Sequence, residues 1–273
     1  MAPQSVSHHA TRTNQRSGVR HRGLPETVPL RVGVLGLSHE PVTSLIEPLS
    51  RAALPVHPIR IRLGTAATSG TDASSANPVS FTRAILDEPL DGLVLVGDPD
   101  GSRVSDGALR ELGDILDYAR GFVPSTLGLG EGALLLATAL GLETERLDGG
   151  LRGLVPQRVL TREHALVRGS GEVFFSVEER RSRITDGSID RAVAARTVIP
   201  LAHSRDGGVS LFESADGHLG RLERPPARLP SDDRLSAFLD SARESARAHA
   251  GAFFASWVRR VYESSRRAVT LPK

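Results

Sequence analysis

Apolar residues along this chain recur with two different periods, and the change of period divides it into segments. Leu30–Leu37 is almost continuously apolar, the pattern of a strand buried on both faces of a parallel sheet. Leu45, Ile46 and Leu49 then share one helical face, and Val56–Leu63 alternates as a second strand. Residues 64–79 are rich in Gly, Ser, Ala and Thr and predict a long loop. Asp91–Val96 predicts another buried strand, followed by turn chemistry at Gly97-Asp98-Pro99-Asp100-Gly101. Leu109, Leu112, Ile115, Leu116 and Ala119 fall at helical spacing, with Asp106 as the candidate cap. Phe122–Leu129 returns as a strand, and Ala133–Leu140 is an apolar helix.

Alternating strands and helices of this kind predict a doubly wound α/β sheet. Sites in such sheets form beyond the carboxyl ends of the strands, where Gly36, Gly97 and Gly130 fall. Beyond residue 150 strand signals crowd together at 157–161, 172–177, 196–202 and 209–213. Ser231-Asp232-Asp233 then caps a long C-terminal helix carrying Leu235, Phe238, Leu239, Ala242, Ala246, Ala250, Phe253, Trp257 and Val261. The expected organisation is an unstructured arm over 1–28, one α/β domain over 29–266 with a β-rich second half, and a short tail over 267–273.

Composition narrows the function classes. No apolar run approaches the ~20 residues of a membrane span, and the Arg-bearing first 28 residues lack the apolar stretch of a secretion signal. A cytoplasmic protein is expected. The pI is near 9.6, but the formal net charge is only +2 and Arg and Glu are interleaved, as at Glu178-Glu179-Arg180-Arg181. That distribution argues against a phosphate-tracking face for nucleic acid. The chain has no cysteine, which removes disulfides, zinc thiolates and a cysteine nucleophile together.

The missing cysteine matters most at Ser125–Ala133. The segment Gly128-Leu129-Gly130-Glu131-Gly132 has the form of a strand-to-helix elbow that displays a nucleophile and aims the next backbone N–H at an oxyanion. Its central residue is Gly130. Gly128-x-Gly130-x-x-Ala133 also satisfies a dinucleotide fingerprint, but Asp148, at the distance of the ribose-binding acid, lies in a polar, turn-like stretch over 142–150. Glycines that only permit close helix–strand packing are the third explanation. His164, His203 and His218 show no metal-ligand spacing, so no metal site is expected. Glu178 and Glu179 are adjacent on a strand and face opposite ways, so at least one is expected to be an exposed charge.

Several segments together resemble the homoserine O-succinyltransferase family, cysteine-dependent O-acyltransferases with a class I glutamine-amidotransferase-like, flavodoxin-like fold. Asp91–Pro99 is similar to its DGLI-x-TGAP segment, Ser125-Thr126-Leu127 with the glycine turn to STL-x-x-CWGAQA, and His164–Gly169 with Glu172–Phe175 to H-x-L-x-RGF-x-D-x-F. His249-Ala250, Phe254 and Trp257 are similar to its HA-x-LLF-x-NWL helix. The resemblance runs from about Leu30 to Tyr262.

The resemblance also implies what has gone. It places the nucleophile at Gly130, the histidine base and its supporting acid at Pro225 and Ala227, a substrate-contacting serine at Glu179 and a lysine at Gly150. No catalytic residue of the family carries over. The implied pocket comprises Gly97, Asp98, Gly130 and Glu131, with Glu179 and His203 as further acid–base candidates. The implied ligands are an amino acid such as homoserine or serine and an acyl-CoA co-substrate, with no resident cofactor, and a homodimer is expected. Three functions follow: an acyltransferase-like protein of amino-acid or specialised metabolism, as in methionine biosynthesis, that has lost its triad; a silent homologue serving as a binding or regulatory partner; or an enzyme of altered, non-covalent chemistry using Glu131, Glu179 or His203 as acid or base.

Overall fold

The computed structural model describes residues 28–37, 49, 54–64, 78–97, 105–222 and 236–270. The expectations for the N-terminal arm, for Leu45 and Ile46, for Asp98, and for Pro225 and Ala227 lie outside these residues. Ten strands form one sheet in the order β3-β2-β1-β4-β5-β10-β9-β8-β6-β7. The strands are β1 Leu30–Gly36, β2 Val56–Arg62, β3 Val79–Ser80, β4 Gly92–Val96, β5 Thr126–Leu129, β6 Thr144–Val159, β7 Val173–Ile184, β8 Val198–Ser204, β9 Gly208–Ser214 and β10 Leu219–Arg221. From β3 to β10 every pairing is parallel, and from β10 to β7 every pairing is antiparallel.

The helices are α1 Phe81–Asp87, α2 Asp106–Phe122, α3 Glu131–Ala139, α4 Asp186–Ala194 and α5 Ser236–Thr270. Helix α5 covers one face of the sheet, where Phe253, Trp257 and Val261 pack with Val32, Val34, Val94, Leu127 and Leu129. The intervening residues Leu35, Leu93 and Leu95 point the other way, onto Leu112, Ile115 and Leu116 of α2 and Leu136 of α3. Burial on both faces explains why these strands read as continuous apolar runs. Trp257 anchors α5: its ring is fully buried and its Nε1 donates to Ser125 Oγ at 3.0 Å, at the start of β5.

Several local expectations shift. Ser105, not Asp106, caps α2, accepting from the Ala108 N–H. Leu109 is 41% exposed, and Ala108 completes the buried face instead. Phe122 ends α2 rather than starting a strand, and α3 begins at Glu131. The polar stretch over 144–150 is strand after all, paired with β7 across an irregularity between Arg146 and Leu151 where Gly149 and Gly150 take positive φ. Two-residue glycine kinks let a polar ribbon turn without breaking.

The β6–β7 ribbon also encloses a polar network. Glu178 and Arg180 pair at 2.8 Å, both almost fully buried. Gln157 Nε2 donates to Ser176 Oγ and to Glu178 Oε1 at 2.8 Å each, and Ser210 Oγ donates to Gln157 Oε1. Arg180 donates to the Gly207 carbonyl. Glu179 faces the other way, 31% exposed and beside Arg152.

Candidate functional site

The turn after β5 is built by close approach. A Cβ on Gly132 would lie well inside contact with the Leu95 carbonyl of β4, so the first turn of α3 rests directly on the neighbouring strand. Gly130 caps α3 with φ +56° and ψ −123°, a conformation that side chains adopt only under strain. Its N–H donates to the Arg221 carbonyl of β10 at 3.0 Å, and its carbonyl accepts from Ala133 at 3.0 Å. The elbow backbone is therefore fixed from two sides.

At the head of α3 the first N–H groups have no partner within the helix, and the helix dipole adds positive potential there. Glu131 is the first helical residue, and its Cβ lies against Gly97 at the end of β4. Burial raises the Glu131 carboxyl above its ordinary value, against the pull of the dipole. Gly97, Gly130 and Glu131 thus come together at the carboxyl ends of β4 and β5.

The other sequence candidates sit elsewhere in the sheet. His203 lies on β8, opposite Arg158 and Val209. That is three strands from β5, on the order of 14 Å at the usual strand spacing. Glu179 lies on β7, the last strand in the order, and pairs with Arg152 at 3.6 Å. The β6–β7 ribbon folds back far enough for Ile184, at its end, to join Ala133 and Leu134 of α3 in one apolar cluster. His164 and His218 are held at the opposite end of the sheet from the turn. His164 Nε2 pairs with Glu213, which also binds Arg260. His218 Nδ1 accepts from the Thr126 N–H, at the start of β5. Among the described residues no group of histidines and carboxylates has the arrangement of a metal site.

Sequence reasoning assigned no role to Arg221, whose carbonyl holds the Gly130 N–H, or to His249 of α5. Arg221 ends β10 opposite Leu129, is 3% exposed, and places its guanidinium 4.4 Å above the Phe253 ring. His249 stands one turn before Phe253 on α5 and stacks on Phe174 with ring centres 3.7 Å apart. Its Nδ1 is 2.9 Å from Ser170 Oγ. Burial, together with the nearby Arg221 guanidinium, lowers its pKa to about 3. The resemblance to an HA-x-LLF-x-NWL helix marked His249, but nothing in the sequence placed it beside Arg221.

The depressed His249 sets a pH dependence. The unfolded chain binds this proton near 6.5 and the folded chain only near 3, so stability is full above about 6.5 and is lost as the pH falls toward the folded value. Burial also lowers the pKa of His218, which adds to the same loss. Thermal melts between pH 7 and 5 are expected to move to lower temperature, and less steeply in His249→Gln.

Residues 25–220 match the family described as homoserine O-succinyltransferase. The homoserine O-acetyltransferase of Lachnoclostridium phytofermentans is 25% identical, over 84% of this chain and 85% of that protein. Among solved structures, a GMP synthase component from Thermoplasma acidophilum superposes with a TM-score of 0.62 at 16% identity, covering 89% of this chain and 98% of its own. A glutamine amidotransferase from Methylobacillus flagellatus gives 0.58 at 15% identity, covering 85% and 96%. At such identities these structures establish the fold, that of the class I glutamine amidotransferases.

Proposed function

We propose that this chain, which belongs to the homoserine O-succinyltransferase family, keeps a small-molecule site at the Gly130 turn and binds there without covalent catalysis. The ligand is a homoserine- or serine-type amino acid, its O-acyl derivative, or the acyl-CoA that would donate the acyl group. The observation that carries this reading is the turn itself. Its positive-φ backbone, its hydrogen bond to Arg221 and its seat against β4 are all in place, while the residue at its apex has no side chain and the chain has no cysteine.

Magnitude favours binding over turnover. Removing the nucleophile or base of a triad costs on the order of 10⁶ in rate. A helix N-terminus with free N–H groups retains its attraction for a carbonyl or carboxylate oxygen whether or not a nucleophile stands beside it. Glu131 supports a second reading, direct acyl transfer between two bound molecules. A carboxyl whose pKa is raised by burial beside the turn is suited to give or take one proton.

The variant Gly130→Cys separates backbone from chemistry. Among the described residues the new Cβ would meet only the Gly97 carbonyl, at 3.4 Å, so the cost there is the positive φ, about 1–3 kcal/mol. Because the chain has no other thiol, iodoacetamide should label the variant once. With acetyl-CoA and homoserine, thiol release should stay within about tenfold of the wild type, because no base is restored. Recovery of turnover by this one substitution would mean that an acid–base partner still faces the turn.

A further inference from the structure

A cavity of about 610 Å³ opens between the 161–171 segment and the C-terminal half of α5, within the usual range of small-molecule sites, about 300–1,000 Å³. It lies at the opposite end of the sheet from the Gly130 turn, where Trp257 and Val261 of α5 pass Gly92 at the start of β4. Its polar lining is Arg168, Ser256, Arg259, Arg260, Glu263 and Ser264. On α5, Ser256, Arg260 and Ser264 recur every four residues and are half-buried, beside the apolar stripe of Phe253, Trp257 and Val261 that meets the sheet. A helix face turned toward the protein is ordinarily apolar, so this second stripe calls for a polar occupant.

One carboxylate holds both walls of the cavity. Glu213 pairs with His164 Nε2 at 2.5 Å on the segment side and with the Arg260 guanidinium on the helix side. The segment is pinned further by the buried Leu166 and Val167, and by Arg168, whose backbone N–H donates to the His164 carbonyl and whose guanidinium donates to the Glu163 carbonyl. The walls are therefore preformed. Glu213 balances the charge of Arg260, which leaves Arg168 and Arg259 facing one carboxylate, Glu263. Arg259 and Glu263 stand one helical turn apart but form no ion pair among the described residues. One positive charge is left over, carried on guanidinium forks whose planar donors match the oxygens of a phosphate group.

We propose that this cavity is a second ligand site and takes a small organic phosphate, with Arg168 and Arg259 holding the phosphate oxygens and Ser256, Ser264 and Glu263 receiving a hydroxylated remainder. Arg260 is committed to Glu213 and acts as a positioning residue that fixes the helix wall. The site shares no residue with the Gly130 turn, so it stands or falls independently of the function read from that turn.

Calorimetry on the full chain with glycerol 3-phosphate, glycerate and glycerol tests it, since the three share a hydroxylated body and differ in the head group. Glycerol 3-phosphate should bind saturably, glycerate about tenfold more weakly, and glycerol not at all. Arg168→Gln and Arg259→Gln should each weaken glycerol 3-phosphate about tenfold to a hundredfold with little change in melting temperature, because both side chains are exposed. Arg110→Gln removes the same charge from α2, on the other face of the sheet, and should leave binding unchanged. Glu263→Gln removes a repelling carboxylate and should tighten inorganic phosphate. Wild-type affinity in either Arg168→Gln or Arg259→Gln places the phosphate elsewhere and overturns the proposal, and an equal loss in Arg110→Gln reduces the effect to net charge and overturns it too. Glycerate binding as tightly as glycerol 3-phosphate overturns the assignment to phosphate, and no binding by any of the three overturns the site.

Discussion

Gly132→Ala is expected to destabilise the protein by about 3 kcal/mol, the upper part of the usual range for overpacking a core. Helix propensity alone predicts the opposite sign, since alanine gains about 1 kcal/mol over glycine inside a helix. The competing contact decides. The added methyl would enter the Leu95 carbonyl and crowd the Leu95 side chain, and backbone of a central strand, unlike a flexible side chain, cannot step aside. For a chain of this size the shift in melting temperature is roughly 6–12 °C. Because α3 would have to lift from β4 to make room, the Gly130 N–H to Arg221 bond should also be lost, so ligand affinity should fall with stability. A melting temperature equal to the wild type would show that α3 does not sit as close to β4 as described.

Glu178→Ala is expected to cost still more, about 3–5 kcal/mol, because it strips a buried cation of its carboxylate. Arg180 would remain inside with the Gly207 carbonyl as an acceptor but no carboxylate at its Nε, and Gln157 Nε2 would lose one of its two acceptors. Replacing both charges, as in Glu178→Leu with Arg180→Met, should recover most of the loss, since matched apolar side chains avoid the desolvation of two ions. The double-mutant cycle, read from chemical denaturation, distinguishes a coupled pair from two independent contributions. Additive losses would contradict the pairing.

The parallel half of the fold was legible because both faces of its strands are covered. Leu30–Gly36 and Gly92–Val96 lie between α5 on one side and α1 to α3 on the other, and a strand in that position has no polar face to disguise it. The β-rich half was harder. In β7, Ser176, Glu178 and Arg180 fall on one face at period two and look like solvated residues, yet the network with Gln157 and Ser210 is buried. A chain folding polar residues onto one another leaves no apolar signal. The stretch over 144–150 was missed for a related reason, since its glycines mark a bend in a strand as readily as the end of one.

At the site, the glycine turn was legible from spacing, because the close approach of α3 to β4 demands glycine where Gly132 stands. Glu131 follows from its place after the turn. Arg221 and His249 were not legible as a pair: they are 28 positions apart, and only the parallel pairing of β10 with β5 and the lie of α5 across that face bring them together. His203 and Glu179 showed the converse. Both had suitable chemistry, but the sheet order puts their strands three and five places from β5.

The proposal that binds these observations is that the Gly130 turn holds a ligand although the residue at its apex carries no side chain. It is tested most directly on the unmodified protein, by titrating homoserine, serine, acetyl-CoA and succinyl-CoA in a calorimeter and following free thiol in the same mixtures. Saturable binding of at least one of these molecules, with thiol release no faster than in protein-free buffer, is the predicted result. Thiol release that scales with protein concentration, or the absence of binding by all four, would contradict it.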